Sequence, residues 1–138
     1  MAAVYIPTVK TTVSGVAHVC NPNEASDDFT LTSVSDTTNG AWLARTFNST
    51  TNAVEEEFKD QKTFIILSNA GNASADVVFK AGDSYAAKND LTVTVGASKM
   101  KCVQIDSAYF KVVNAATGLG AVHIVPSATV SVALFEGR

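Results

Sequence analysis

The sequence predicts an all-β fold, an antiparallel β-sandwich of jelly-roll-like form with an extended N-terminal arm or strand. Three observations support this prediction: apolar runs of strand length recur at even spacing, valine and threonine alternate within them, and turn-type residues separate them. Short strands at regular spacing with turn signals between them are typical of sandwiches and barrels. Val and Thr suit a pleated surface because branching at Cβ restricts their χ1 angles.

The second half of the chain contains the more regular set of predicted strands. Alternation is clearest in the third run, where Leu91, Val93 and Val95 are expected to face the core and the two threonines between them solvent. The last run repeats the alternation. These strands are predicted at 63-TFIILS-68, 75-ADVVFK-80, 91-LTVTV-95, 99-KMKCVQI-105, 108-AYFKVV-113, 121-AVHIV-125 and 129-TVSVALF-135.

The first sixty residues are less regular. Pro7 lies in the first predicted strand and confines it to an edge or an arm, because proline has no N–H to donate inside a sheet. The strands predicted here are 4-VYIPTV-9, 12-TVSGVAHV-19, 29-FTLTSV-34 and 41-AWLARTF-47.

The stretch 52-NAVEEEFKDQ-61 is predicted to form one or two helical turns. Asn52 is placed to cap the first turn, and acidic residues follow where the helix dipole favours them. Val54 and Phe58 are four residues apart and would share one face of that helix.

Length and linkers indicate a single domain over residues 1–138. Domains most often contain about 100–150 residues, and no Gly/Pro-rich linker divides this chain. Residues 60–138 form the predicted sandwich core, and residues 1–20 are a possible N-terminal arm.

Charge and hydropathy narrow the classes of partner. The net charge is −3 and the basic residues are scattered, so no nucleic-acid partner is expected. No run reaches the roughly 18 apolar residues of a membrane span, and Pro7 and Lys10 interrupt the segment where a signal peptide would need an apolar core. Cys20 and Cys102 lie in apolar runs and are expected to be buried free thiols, which favours a reducing compartment.

The sequence predicts no catalytic, cofactor or metal site. The acidic run 55–57 is interpreted as a solvated face and not as a set of catalytic carboxylates. Adjacent residues of a helix point in different directions, so the three carboxylates cannot converge on one substrate atom. No serine lies in a Gly-x-Ser-x-Gly elbow, and the glycines of 118-GLG-120 precede a strand rather than a phosphate-binding helix. The His and Cys residues lack the close pairing of a structural zinc site. A calcium ion held between distant loops remains open, with Asp27, Asp28, Asp83, Asp90 and Asp106 as the candidate ligands, although no Asp run has the calcium-loop spacing.

Exposed aromatic side chains are the candidates for binding a sugar. Trp42 lies in an alternating apolar run and is expected in the core, whereas Tyr85 lies in a loop and is the more credible candidate, ahead of Tyr109. The glycines and Asn residues of 69–74 are interpreted as a hairpin turn. The longer loop around Asp83–Asp90 is predicted to be the surface best suited to contact a partner.

The stretch 63-TFIILSNAGNASADVVFKAGDSYAAKNDLTVTVGASKMKCVQIDSAYFK-111 resembles small β-sandwich structural proteins of tailed-bacteriophage virions, of the head decoration or auxiliary kind. The shared features are a buried strand followed by Asn-x-Gly, a short strand ending in Ala-Gly-Asp, and the run Asp-Leu-Thr-Val-Thr-Val. The resemblance covers roughly residues 60–138. It implies a protein without catalytic activity that is made in the host cytoplasm and is located on the capsid surface of the virion. It also implies a homo-oligomer, with three copies as the expected number.

The expected partners are the major capsid protein or another virion protein, with no nucleic acid and no membrane. The segment Met1–Val19 is hypothesised to be an arm that adds to a neighbouring molecule or to the shell. Two alternatives remain open: a carbohydrate-binding β-sandwich module, and a tail or receptor-binding accessory protein. The candidate protein-contact residues are Val4, Tyr5, Ile6, Val9, Asp83 and Tyr85.

Overall fold

A computed structural model describes residues 3–10, 12–13, 18–19, 31–85, 87–113 and 117–137. Within these residues the chain is built of strands, with one 3₁₀ turn at Ser107–Tyr109, so the all-β prediction is confirmed. The strands are β1 (Val4–Lys10), β2 (Thr12–Val13), β3 (His18–Val19), β4 (Thr32–Val34), β5 (Ala41–Ala44), β6 (Thr46–Phe47), β7 (Val54–Glu56), β8 (Thr63–Asn69), β9 (Ala75–Phe79), β10 (Leu91–Val95), β11 (Lys99–Val103), β12 (Lys111–Val113), β13 (Gly120–Pro126) and β14 (Val130–Glu136).

One large sheet forms the body of the molecule. Its strand order is β10-β9-β13-β5-β1-β14-β8-β11, with β12 added on β13 and β4 added on β14. The sheet curves until its two terminal strands, β10 and β11, come close to each other, so it is nearly closed. Apolar side chains from both halves of the sheet fill one core inside this curve, among them Leu43, Ile65, Val77, Ile124 and Val132, all with no exposed surface.

Strand β1 joins the two halves of the sheet by changing partners along its length. Val4–Pro7 pair in parallel with β5, and Thr8–Lys10 pair in parallel with β14. The N–H groups of Val4 and Thr8 point toward the β5 side, where they donate to Gly40 O and Arg45 O. Because N–H direction alternates along a strand, Pro7 faces the other side, where pairing with β14 begins only at Thr8.

The position of β1 corrects two expectations. Of the alternatives arm and strand, residues 4–10 form a strand, and this strand is interior to the sheet, so the prediction that Pro7 confines it to an edge or an arm is wrong. Proline is tolerated because the donor it lacks falls where no ladder bond is required. The pairs that β1 makes are also parallel, whereas all other strand pairs of the described residues are antiparallel, as predicted.

The helical turns predicted at residues 52–61 are replaced by a hairpin. β7 pairs antiparallel with β6, with a register shift between Thr46 and Phe47. Asn52 has a positive φ of 56° and therefore lies at the turn of this hairpin instead of capping a helix. Val54 and Phe58 are both buried, as predicted. A spacing of four residues places two side chains on the same side of an extended chain as well as of a helix, so this burial did not discriminate between the two.

The turn after β8 is built around the Asn69 side chain, which is 3% exposed. Its Nδ2 donates to Ala73 O at 2.8 Å and to Val95 O at 3.0 Å, and its Oδ1 accepts from Gly71 N at 3.0 Å. Residues 69–74 therefore form a turn, but its interpretation as a hairpin connection is wrong, because β8 pairs with β14 and β11 while β9 pairs with β13 and β10. The Asn69 amide ties this turn to the end of β10.

The terminal strands of the sheet are more exposed than the sequence predicts. On β10, Val95 is fully buried but Leu91 is 40% exposed. On β11, residues 99–102 are all exposed, so the prediction that Cys102 is buried is wrong. Both strands have a hydrogen-bonded neighbour on one side only, and the core does not extend beyond them. Cys20 lies outside the described residues.

Other predicted strands are shortened. The run 108–113 begins with the 3₁₀ turn, and only Lys111–Val113 form a strand. Of the run 12–19, residues 12–13 and 18–19 pair with each other, and the run 29–34 contains the strand Thr32–Val34. The remaining residues of these two runs, apart from residue 31, lie outside the described part of the chain.

We expect Gly40→Ala to destabilise the fold far more than Gly118→Ala. Both glycines have positive φ, 63° and 70°, which costs an alanine about 1–2 kcal/mol. A Cβ on Gly40 would also lie 1.9 Å from Ile124 O, whereas a Cβ on Gly118 would have no atom within 4 Å. Chemical denaturation should give a loss of about 3–5 kcal/mol for Gly40→Ala and about 1–2 for the control. Equal losses would contradict the close packing of Gly40 against β13.

Candidate functional site

The loop between β9 and β10 was predicted to be the surface best suited to contact a partner, and its first residues complete the edge of β12. Gly82 N donates to Tyr109 O at 2.9 Å, and Asp83 N donates to Lys111 O at 3.2 Å. The Asp83 carboxylate accepts from Val113 N at 3.1 Å. Asp83 therefore takes the place of a neighbouring strand along β12, and its main contacts are within the chain.

The end of the same loop is held by Asp90. Its carboxylate accepts from Lys80 Nζ at 2.8 Å and from Ala81 N at 2.7 Å. The hydrogen bond from Lys80, with that from the Ala81 amide, lowers the pKa of Asp90 below its ordinary value. The two ends of the loop are thus linked across its base.

Tyr85 stands at the tip of this loop with its whole side chain in solvent. Its relative exposure is 105%, the highest of any large apolar or aromatic side chain among the described residues. A turn closed by Ala87 N and Ser84 O at 3.0 Å contains it, and Ser84 Oγ donates to Ala108 O at 2.8 Å. The loop therefore holds the backbone on both sides of Tyr85 while leaving its ring free for contact.

Aromatic side chains also form a row on the outer face of the sheet. Tyr5 on β1 pairs in register with Trp42 on β5, and Trp42 pairs with His123 on β13. The rings of Trp42 and His123 stack with their centroids 4.4 Å apart, and His123 Nε2 lies 2.6 Å from Asn39 O. Trp42 was predicted to lie in the core, and the structure places it on the opposite face, half-buried.

The hairpin β6–β7 covers part of this outer face and leaves a crevice beside the aromatic row. Ala44, Val54 and Ala121 form a small second core beneath the hairpin, and the Tyr5 and Phe47 rings meet edge to face at 5.2 Å. The crevice encloses about 180 Å³. We call it the aromatic crevice, and it is lined by Tyr5, Trp42, Phe47, Asn52, Val54, Val112, Val113 and Ala121.

Ion pairs fix the hairpin in this position. The Arg45 guanidinium, at the junction of β5 and β6, binds Glu56 on β7 and Glu136 on β14. Lys111 Nζ lies 3.5 Å from Glu57 Oε2. The acidic run 55–57, interpreted from sequence as a solvated face, therefore supplies two structural ion pairs. The sequence carried no signal for their partners, which are distant in the chain.

The candidate contact residues fall into different environments. Tyr85 is exposed and Tyr5 lines the aromatic crevice, while Asp83 is bonded to β12. Ile6 is 2% exposed and belongs to the core, so its side chain offers no free surface in this fold, while Val4 is partly buried against that core. Val9 lies in β1, but its side chain is outside the described set.

Metal-ligating side chains do not gather within the described residues, where no group of three or more His, Cys, Asp or Glu is placed to hold an ion. Two of the calcium candidates, Asp27 and Asp28, lie outside this part of the chain. In the same described residues no helix has the length and apolar character needed to cross a membrane.

We expect Asp83→Ala to loosen the edge of β12. The substitution removes the acceptor of the Val113 amide, a hydrogen bond worth about 0.5–1.5 kcal/mol. Hydrogen exchange followed by NMR should show the Val113 amide exchanging roughly two- to tenfold faster. Lys88→Ala, in the same loop, is the control and should leave this rate unchanged. Unaltered protection of Val113 in the Asp83 variant would contradict the edge-completing role.

The Asp90 link is expected to weaken in acid. Because the folded state lowers the pKa of this carboxyl, its contribution is complete above the ordinary value of 3.8 and is lost as the pH falls through the lower folded value. The Ala81 amide shift, followed by NMR between neutral pH and pH 2, should report a titration below 3.8. Asp90→Asn should abolish that titration. A midpoint at or above the ordinary value would contradict the bonding described.

Comparison with known proteins gives no assignment. No protein-family model matches the chain, and no curated protein or solved structure is significantly similar to it. The functional interpretation therefore depends on the surfaces described above and on the resemblance in residues 60–138.

Proposed function

We propose that this chain is a non-enzymatic structural protein of a tailed-bacteriophage virion, which binds the capsid surface as a decoration protein and stabilises the shell. The observation that carries the proposal is the exposure of β11, a complete strand at the end of the sheet. Its residues 99–102 are exposed on both faces, and Met100 is 58% exposed. The unpaired backbone N–H and C=O groups of an edge strand can pair with a strand of another protein, and an exposed apolar side chain adds contact area.

The charges of β11 indicate which kind of partner it favours. Lys99 and Lys101 are in register with the buried Asn69 and Leu67 of β8, so they stand on the inner face of an edge strand. Lysines in this position oppose pairing between two copies of β11, because like charges would meet. An acidic surface or segment of the shell would instead be attracted by them.

A decoration role also agrees with the rest of the scaffold. A protein that binds the assembled shell and not dispersed subunits favours the assembled state by mass action. Many copies bound side by side turn weak single contacts into a stable coat. The loop and edge described above supply such contacts from a nearly closed sheet that needs no rearrangement to offer them.

The aromatic crevice favours one of the alternatives, a carbohydrate-binding module, since aromatic rings are common platforms for apolar faces of ligands. A glycan array separates the two proposals. Saturable glycan binding without any association with phage particles would support the module. Sedimentation with isolated tails instead of heads would support a tail or receptor-binding accessory protein.

We expect Lys101→Glu to reduce binding to capsids. Reversing this charge should lower the affinity by roughly tenfold at low salt, and the difference should shrink as salt is raised, because exposed charges are screened. The measurement is co-sedimentation of the purified protein with mature heads of candidate tailed phages. Lys62→Glu makes the same charge change at an exposed turn outside β11 and is the matched control. Equal losses for both variants, or none for Lys101→Glu, would contradict the proposed contact.

A further inference from the structure

We propose that the aromatic crevice binds the Tyr85 side chain of a second copy of this chain, so that neighbouring copies associate head to tail. This inference goes beyond the proposed capsid binding and does not depend on it, because the contact lies between two copies and requires no shell. Two independent features of the described chain carry it: an aromatic side chain held out in solvent, and a crevice lined by aromatic rings.

Tyr85 has the properties of an interface anchor. Its side chain is fully exposed, and the backbone around it is held by the turn from Ser84 to Ala87 and by the bonds of Asp83 to β12. Holding a side chain in its bound position before association reduces the entropy lost on binding. Tyrosine is among the residues most often found at energetic centres of interfaces, because it combines a large apolar ring with one hydroxyl group.

The aromatic crevice is complementary to a tyrosine ring. Its volume of about 180 Å³ is of the order of one aromatic side chain. Three rings, those of Tyr5, Trp42 and Phe47, are present for edge-to-face or offset contact. Among the described residues that line it there is no Asp, Glu, Lys or Arg, which suits an uncharged phenol. The Asn52 carboxamide in the lining is the group able to exchange a hydrogen bond with the phenol hydroxyl.

The two features lie beside each other in one molecule. Asp83, two residues before Tyr85, is bonded to β12, and Val112 and Val113 of β12 line the crevice. Tyr85 of the same molecule nevertheless remains fully in solvent. A contact between two different patches is heterologous and produces either a ring or a filament. Because both patches adjoin β12, the contact is compatible with the smallest closed ring, in which two copies exchange Tyr85 reciprocally.

The first test measures self-association of the full-length protein without capsids, by sedimentation velocity and native mass spectrometry. We expect oligomers that grow with concentration, and we expect Tyr85→Ala to weaken association by roughly tenfold or more. Val113→Glu, which places a charge at a position that is 50% exposed in the lining, should weaken it to a similar degree. Leu91→Ala removes an exposed apolar side chain outside the crevice lining and is the control. Circular dichroism melts confirm that each variant is folded.

The second test mixes the two defective variants. Tyr85→Ala retains an intact crevice, and Val113→Glu retains an intact tyrosine. An equimolar mixture should therefore form heterodimers, in which Tyr85 of one variant binds the crevice of the other, and no larger oligomers. Trp42 is the chain's single tryptophan and lies in the crevice, so its emission should change on mixing but not in either variant alone. This pattern requires Tyr85 of one copy to contact the crevice of the other, because each variant alone lacks one side of that contact.

Three results would overturn the inference. They are a wild-type protein that stays monomeric at all concentrations, association that persists in both variants, and a mixture without heterodimers. A neutral saccharide that shifts Trp42 emission equally in wild type and Tyr85→Ala, without self-association, would assign the crevice to that ligand instead. None of these results affects binding of capsids through Lys101, so this inference and the proposed function fail separately.

Discussion

The partner exchange along β1 is the constraint on which the rest of the structure depends. In the described strands, β1 is the one whose backbone pairing joins the half of the sheet that ends at β10 to the half that ends at β11. Thr8 secures the exchange, since its N–H donates to Arg45 O and its buried hydroxyl donates to Ala44 O at 2.8 Å. The ion pair between Arg45 and Glu136 spans the same joint. Without this joint, the two halves would share apolar contacts but no backbone ladder.

The register of β1 also decides which surface the molecule presents. Alternation along the strand places Ile6 in the core and Tyr5 on the outer face beside Trp42. A shift of one residue would exchange these two side chains, exposing the isoleucine and removing one ring from the aromatic crevice. The joint that holds the fold together is therefore also the element that builds the crevice, and the hairpin clamped by Arg45 closes over it.

Near closure of the sheet explains where contact surfaces remain. In the order of the sheet, the strands from β9 to β8 have a hydrogen-bonded neighbour on both sides, so few of their backbone N–H and C=O groups are free. The terminal strands β10 and β11 have one neighbour each. The lysines on the inner face of β11 oppose pairing of this strand with β11 of a second copy. The proposed copy-to-copy contact uses a different place, the Tyr85 loop and the crevice next to β12, so the two proposed contacts lie on different parts of the molecule.

The sequence by itself determined the all-β class, most strand positions after residue 60, the turn around Asn69 and the exposed Tyr85 loop, because these depend on local periodicity and turn chemistry. Only the tertiary structure decided that β1 is interior, that Val54–Glu56 form a strand, and that Trp42 and Cys102 lie outside the core. Apolar spacing shows which side chains can be buried. Which strands end the sheet, and what covers each face, depends on partners distant in the chain, such as β14 for β1 and Arg45 for Glu136.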